Sequence, residues 1–189
     1  MEWEDIYKNV PLDEIPWHSE KPPLSLVRNI QSIERGLAID LCCGAGTNSI
    51  FLAKNGFKVT GIDVSETAVK IARKMAEKEG LHIDFKVADV LDFRTGKKFD
   101  FAFDRGCFHH MPVSKRRMFA ENLSGMLKKR GRFQLMAFSE RNGFEKSLSK
   151  EEIRGVFSGF FEIGKISEEV HIEPDGSSVY LYVTSMTKL

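Results

Sequence analysis

Residues 38–47 read Ala-Ile-Asp-Leu-Cys-Cys-Gly-Ala-Gly-Thr, an apolar run that carries Asp40, turns at Gly44 and Gly46 and enters a helical pattern. A second acid, Asp63, follows Gly44 by nineteen residues. Glycines at such a turn remove the Cβ atoms that would hold a ligand away from the backbone, and the helix after them directs free N–H groups and its positive end at the same place. A carboxylate about twenty residues further on is placed to accept both hydroxyls of a ribose. The chemistry is recognition of an adenosine-containing ligand. In a dinucleotide fingerprint a third glycine would stand where Ser49 is, and Asp40 beside a pyrophosphate would be repulsive. The pattern D-x-x-x-G-x-G instead suits a ligand bearing an ammonium and a sulfonium.

Alternating strands and helices position these residues. Strands are expected at residues 37–42, 57–63, 82–88, 99–104 and 132–138. Helices are expected at 47–55, at 66–79 behind a Ser65 cap, and from Pro112 to a stop at Gly131. The basic cluster Lys128-Lys129-Arg130 then suits a helix C-terminus. Ser149 with Glu152 spells a capping box for a further helix. Segments 161–166 and 178–184 alternate apolar and polar residues and are joined through Pro174-Asp175-Gly176-Ser177, a turn signal that predicts a closing hairpin. The β-α alternation calls for a mostly parallel sheet with right-handed crossovers and helices on both faces.

Taken together, these motifs resemble the class I S-adenosylmethionine-dependent methyltransferases. Asp40 to Gly46 is similar to that family's first motif, Asp63 to its ribose-binding acid, Ala88-Asp89-Val90 to the loop that holds the adenine amino group, and 99–106 to its fourth strand, whose end faces the methyl group. The resemblance implies an α/β Rossmann-like, seven-stranded, mostly parallel sheet with a C-terminal antiparallel hairpin. It also implies S-adenosyl-L-methionine as cofactor, with S-adenosyl-L-homocysteine as product. The segment 1–23 holds both tryptophans and four of the six prolines. Its Ile15-Pro16-Trp17-His18 stretch resembles the Pro-Trp element of the thiopurine, tellurite-resistance and halide/thiol methyltransferases, in which an aromatic residue closes over the cofactor. The cofactor set implied is Trp17, Asp40, Cys42, Gly44, Gly46, Asp63, Val64, Asp89, Val90 and Arg105. Cys42 and Cys43 are expected to be small packing residues rather than nucleophiles.

For the acceptor side the candidates are Asp104, Arg105 and His109, with His110 beside them. Arg105 could stabilise a thiolate or carboxylate, Asp104 could accept a proton or fix the arginine, and His109 could serve as a general base for a hydroxyl or amine. Neither the Asn-Pro-Pro-aromatic motif of amino-methylating enzymes nor the Pro-Cys of cytosine C5 enzymes is present, and no long insertion offers a docking domain. A small-molecule acceptor is therefore expected, with a thiol or chalcogen oxyanion favoured. Two rivals remain at this point: an NAD(P)-dependent oxidoreductase and a non-catalytic S-adenosylmethionine-binding module.

With 189 residues, 42% hydrophobic and 29% charged, the chain is expected to form a single domain, a lid segment over 1–36 and a core over 37–189. The net charge of +1 gives no electrostatic case for nucleic acid or an anionic membrane. No run of eighteen apolar residues and no signal peptide is seen, so a cytoplasmic location is expected. Cys107, His109 and His110 crowd one loop too tightly for a tetrahedral metal site, and no metal is expected. Oligomeric state is not readable from these patterns.

Overall fold

A computed structural model describes residues 3–173 and 176–189; Pro174 and Asp175 of the expected turn lie outside the described residues. The chain divides into two compact units, the first ending at Arg94 and the second running from Thr95 to Leu189.

The first unit contains α1 (Trp3–Asn9), α2 (Leu24–Asn29), β1 (Leu37–Leu41), α3 (Thr47–Lys54), β2 (Lys58–Asp63), α4 (Glu66–Lys78) and β3 (Asp84–Val87). β2 pairs in parallel with β1, Asp40 opposite Gly61, and with β3, Asp63 opposite Val87. Four of five residues of β1 and five of six of β2 are buried, as parallel strands covered on both faces require. α4 starts where the sequence predicts: the Ser65 hydroxyl accepts the Ala68 N–H at 3.0 Å. Its small buried face of Ala68, Val69, Ala72 and Ala76 lets it lie close to the rest of the unit.

Two glycines serve that closeness. Gly46 has φ +85°, and a Cβ there would stand 2.9 Å from Ala72 Cβ and 3.0 Å from the Phe85 ring. Gly61 sits in mid-strand because a Cβ would meet the Phe85 ring at 2.6 Å. Gly46 is thus kept bare by packing as well as by its backbone conformation.

The second unit contains β4 (Phe99–Arg105), a 3-10 turn (Phe108–His110), α5 (Val113–Met126), β5 (Leu127–Phe138), α6 (Lys150–Phe157), β6 (Phe161–Ile163), β7 (Ser167–Ile172) and β8 (Ser178–Lys188). β4 and β5 are parallel, and β8 lies antiparallel to β5, to β6 and to β7. Phe108, Phe119, Phe133, Phe157 and Phe161 are buried together, with Phe108 and Phe157 ring centroids 4.8 Å apart and Phe157 and Phe161 6.0 Å apart. Each such ring contributes roughly 2–3 kcal/mol by leaving water. α6 carries the predicted capping box, Ser149 with Glu152.

Among the described residues the strands number eight, not seven. β7, Ser-Glu-Glu-Val-His-Ile, was not anticipated, and the closing hairpin joins it to β8, whereas 161–166 supplies only the short β6. A second correction concerns the basic cluster. α5 ends at Met126, not Gly131, and Lys128 to Arg130 belong to β5, where the pairing with β4 slips between Phe99 and Phe101. Lys128 bonds Asp100 at 2.7 Å, and Arg130, at φ +64°, lies 3.5 Å from Glu162. The charges therefore serve a bulge, not a helix dipole.

Candidate functional site

In the first unit the turn after β1 is built around two carboxylates. Asp63, at the carboxyl end of β2, receives the Gly44 N–H on Oδ2 at 2.8 Å and the Ser65 N–H on Oδ1 at 2.9 Å. Each oxygen keeps a lone pair for a further donor. Burial raises its pKa despite these bonds. Val64, next in the chain, is 52% exposed, an apolar surface beside that carboxylate. Asp89 accepts the Leu91 N–H at 2.8 Å, which fixes the loop after β3, and Val90 is buried beneath it. Cys42, at φ +51°, and Gly44, at φ +52°, both hold left-handed backbone. For a cysteine that conformation is uncommon and marks a turn that the surroundings enforce.

Asp40 behaves differently. It is buried, with Ser49 Oγ donating to its Oδ2 at 2.6 Å, and burial pushes its pKa up to about 7. The serine that departs from the dinucleotide pattern is therefore the partner of the acid that departs from it too. Because the folded chain holds this proton to about 7, while an unfolded aspartate releases it near 4, the folded state binds more protons in between. Stability is thus expected to fall as pH rises through that window and to level off above it. Asp40→Asn keeps an oxygen for Ser49 and should flatten the slope, as read by urea unfolding midpoints of both proteins across the window.

The N-terminal segment lies on the same turn. Trp17 is 37% exposed, meets Trp3 edge-on at 5.2 Å and donates its Nε1–H to the Tyr7 hydroxyl at 3.1 Å. Tyr7 is buried, and its hydroxyl would stand 2.5 Å from a Cβ at Gly44. Glu4 ties α1 down: its carboxylate accepts from Ser65 Oγ (2.6 Å), Thr67 N (3.1 Å) and Thr67 Oγ1 (2.8 Å), supplementing the cap of α4. Trp17 thus reaches the glycine turn through Tyr7. Neither Tyr7 nor Glu4 was named from the sequence, although Trp3 and Tyr7 share a helical face at i, i+4.

In the second unit the carboxyl end of β4 carries the acceptor-side candidates. Asp104 is fully buried, and its two oxygens accept the Cys107 N–H (2.8 Å) and the Phe108 N–H (3.1 Å), holding the 3-10 turn. These two bonds fix the carboxylate against its own turn. Arg105 Nη2 lies 3.3 and 3.4 Å from the two ring nitrogens of His171 on β7, and burial lowers the pKa of this guanidinium. His171 had no sequence signal, since only β7 brings it there.

His109 is buried and stacked on Phe138 at 3.7 Å; the Phe138 N–H donates to its Nδ1 at 3.1 Å. Burial first, then His110, Lys146 and Arg116, push its pKa down to about 2. The neutral ring with Nδ1 accepting must carry its hydrogen on Nε2, so no lone pair is left to take a proton. The general-base assignment of His109 is corrected accordingly: the ring is a hydrogen-bond donor. No group of three or more His, Cys, Asp or Glu able to hold a metal occurs among the described residues, and no helix there is long and apolar enough to cross a membrane.

A methyltransferase-domain family model matches residues 38–131, the stretch that holds both carboxylates and the end of β4. An uncharacterized methyltransferase of Schizosaccharomyces pombe is 33% identical over 105 residues, covering 55% of this chain and 72% of that one. The chain belongs to the class I S-adenosylmethionine-dependent methyltransferases. Two further methyltransferases are similar over most of its length. The 2-heptyl-1-hydroxyquinolin-4(1H)-one methyltransferase of Mycobacteroides abscessus is 26% identical over 162 residues, covering 80% of this chain and 70% of that one. A probable thiol methyltransferase of Arabidopsis thaliana is 27% identical over 168 residues, covering 84% and 74%.

Among solved structures, one concerned with converting a disulfide bond into a thioacetal group during echinomycin biosynthesis superposes with a TM-score of 0.87. It is 22% identical and covers 98% of this chain and 89% of that one. TehB from Haemophilus influenzae superposes at 0.74 with 19% identity, covering 88% and 62%. These likenesses give the Rossmann-like methyltransferase fold.

S-adenosylmethionine is the methyltransferase's cofactor, and the first unit fits it. Thr47 Oγ1 and Asn48 Oδ1, in the first turn of α3, are buried without a hydrogen-bond partner among the described residues. Buried polar atoms left so are costly unless a ligand satisfies them. They stand beside the glycine turn, with the Asp63 carboxylate and the exposed Val64 on the neighbouring strand end.

Proposed function

We propose that this methyltransferase acts in the cytoplasm on a small molecule whose nucleophilic atom is already anionic, a thiolate or chalcogen oxyanion, rather than on nucleic acid or a membrane component. The observation that carries this reading is the guanidinium of Arg105 at the end of β4, beside an Asp104 carboxylate that holds two backbone N–H groups and a His109 whose Nδ1 already accepts one. Burial keeps that cation poorly hydrated, with Glu173 acting on it electrostatically. Such a site suits an acceptor that ionises unaided, as a thiol near pKa 8.5 does. The quinolone and thiol methyltransferases among the relatives support a small-molecule acceptor.

In this reading Asp63 accepts both ribose hydroxyls, Val64 and Val90 flank the adenine, and Asp89 takes its amino group. The glycine turn at Cys42 and Gly44, with Thr47 and Asn48, faces the methionine end. Asp40 acts from behind, through Ser49, by fixing the start of α3, and Gly46 by letting α3 close on α4. Trp17, through Tyr7, closes over the turn and excludes water. The bound cofactor supplies a methyl group on a positively charged sulfur. In the second unit Arg105 and His109 bind the acceptor anion by charge and by N–H donation rather than by taking its proton.

The test is the pH dependence of kcat/KM with labelled cofactor across a series of thiols of graded acidity. The rising limb is expected to track the pKa of each thiol in turn. A limb fixed near one value for all acceptors would reveal an enzyme base and overturn the proposal. Preferred transfer to protein or nucleic acid in the same assay would do so as well.

A further inference from the structure

The acid assigned to the ribose is held by two neighbours, and α1 touches both of them. Asp63 accepts the Gly44 N–H on one oxygen and the Ser65 N–H on the other. Tyr7 of α1 places its hydroxyl against Gly44, and Glu4, three residues earlier on the same face of the helix, accepts the Ser65 hydroxyl at 2.6 Å. The seating of α1 does not depend on this acid, since Tyr7, Ile15 and Ala68 are buried together with Ile6 and Ile71 packed against them. Nor does α4 need it as a cap, because Ser65 Oγ already accepts the Ala68 N–H. With alanine at its third position α4 has no capping-box glutamate, and the Ser65 N–H that such a residue would take goes to Asp63 instead. Glu4 is meanwhile a like charge near a buried carboxylate, which by itself is unfavourable: it adds to the rise in the Asp63 pKa that burial chiefly causes.

We infer that Glu4 is a positioning residue for the cofactor: by taking the one hydroxyl hydrogen of Ser65 it keeps the free lone pairs of Asp63 open to the ribose. This rests on the ribose reading of Asp63 and adds how that carboxylate is kept available. A serine hydroxyl has a single hydrogen to give. Ser65 is fully buried, so the hydrogen has to find an acceptor within the protein. Donated to Glu4, it cannot go to Asp63. Without Glu4 it is expected to turn to the carboxylate that already holds the Ser65 N–H, and there to occupy a place that a sugar hydroxyl needs. Glu4 is itself fixed for this task, because the Thr67 N–H and hydroxyl donate to it at 3.1 and 2.8 Å and Lys8 pairs with it at 3.2 Å.

Calorimetry with S-adenosylhomocysteine and its 2′-deoxy analogue, on the wild type, Asp63→Ala, Glu4→Ala and Glu4→Gln, tests the role. The wild type is expected to favour the ribose form at least about tenfold, and Asp63→Ala to bind the two forms within about twofold of each other. Glu4→Ala is expected to reduce the preference to about threefold or less, through weaker binding of the ribose form. Glu4→Gln keeps an oxygen that accepts the serine hydroxyl, so its preference should lie between those of the wild type and Glu4→Ala. The preference is a ratio read within one protein, and a looser α1 or a smaller folded fraction lowers both affinities and cancels from it. A preference unchanged in both Glu4 variants, with or without a common loss of affinity, would overturn the positioning role and leave Glu4 a mere fastener of α1, with Asp63 still on the ribose. A wild type that binds both forms equally would instead strike the ribose reading of Asp63, and the role of Glu4 with it.

Discussion

Replacing Asp63 by alanine is expected to weaken S-adenosylhomocysteine binding by about 3 kcal/mol, roughly 150-fold. The magnitude follows from the number of bonds at stake. Hydrogen bonds to a charged acceptor are worth about 1.5–3 kcal/mol each, and two ribose hydroxyls share this carboxylate. The same oxygens hold the Gly44 and Ser65 N–H groups, so alanine also releases the turn and the start of α4. Asp63→Asn separates the two effects, since its amide oxygen still accepts one backbone bond. An intermediate loss for asparagine and the full loss for alanine, measured by calorimetry, would fix the ribose on Asp63. Affinity unchanged in Asp63→Ala would remove it from the cofactor site.

Gly46→Ala is expected to be the most destabilising single-methyl change in the first unit, by about 3 kcal/mol. Left-handed backbone costs a non-glycine residue about 1–2 kcal/mol, and forcing a methyl into a filled core costs a further 1–3 kcal/mol or so. Both apply here, with Ala72 Cβ at 2.9 Å and the Phe85 ring at 3.0 Å from the new atom. Gly44→Ala meets only the far end of a tyrosine side chain, which can shift. Its cost should be smaller and should come mainly from φ. Denaturant midpoints of the two variants compared side by side check this, and an equal loss in both would mean that Ala72 and Phe85 give way to the added methyl.

What the sequence made legible was local. The Ser65 cap and the Ser149–Glu152 box are contacts within four residues, and both formed as read. β1 and β2 announced themselves by short, mostly uncharged stretches, Leu-Ala-Ile-Asp-Leu and Val-Thr-Gly-Ile-Asp, each bounded by turn residues, as strands buried on both faces need. β7 could not be read this way: Ser167 to Ile172 holds two glutamates and no apolar run, and it is a strand because β8 offers it a partner. The end of α5 failed for a related reason. Gly131 is a reasonable helix stop in isolation, but Leu127 is buried and extended, and the pairing of β5 with β4 outweighs the local signal. At the site, the residue types were legible and their roles were not. Nothing in Asp-Arg-Gly-Cys-Phe-His-His tells that the acid caps its own turn, or that the first histidine accepts a backbone N–H from a strand 29 residues away.

The contact between Tyr7 and Gly44 has an evolutionary corollary. A side chain at position 44 would meet both a left-handed backbone and the hydroxyl of the protein's own first helix, so part of the pressure that keeps the position bare is transmitted by an aromatic residue 37 positions upstream. In lineages of this architecture where that helix has been lost or its tyrosine replaced, asparagine, which tolerates that backbone, should begin to appear at the turn, and the two positions should drift together.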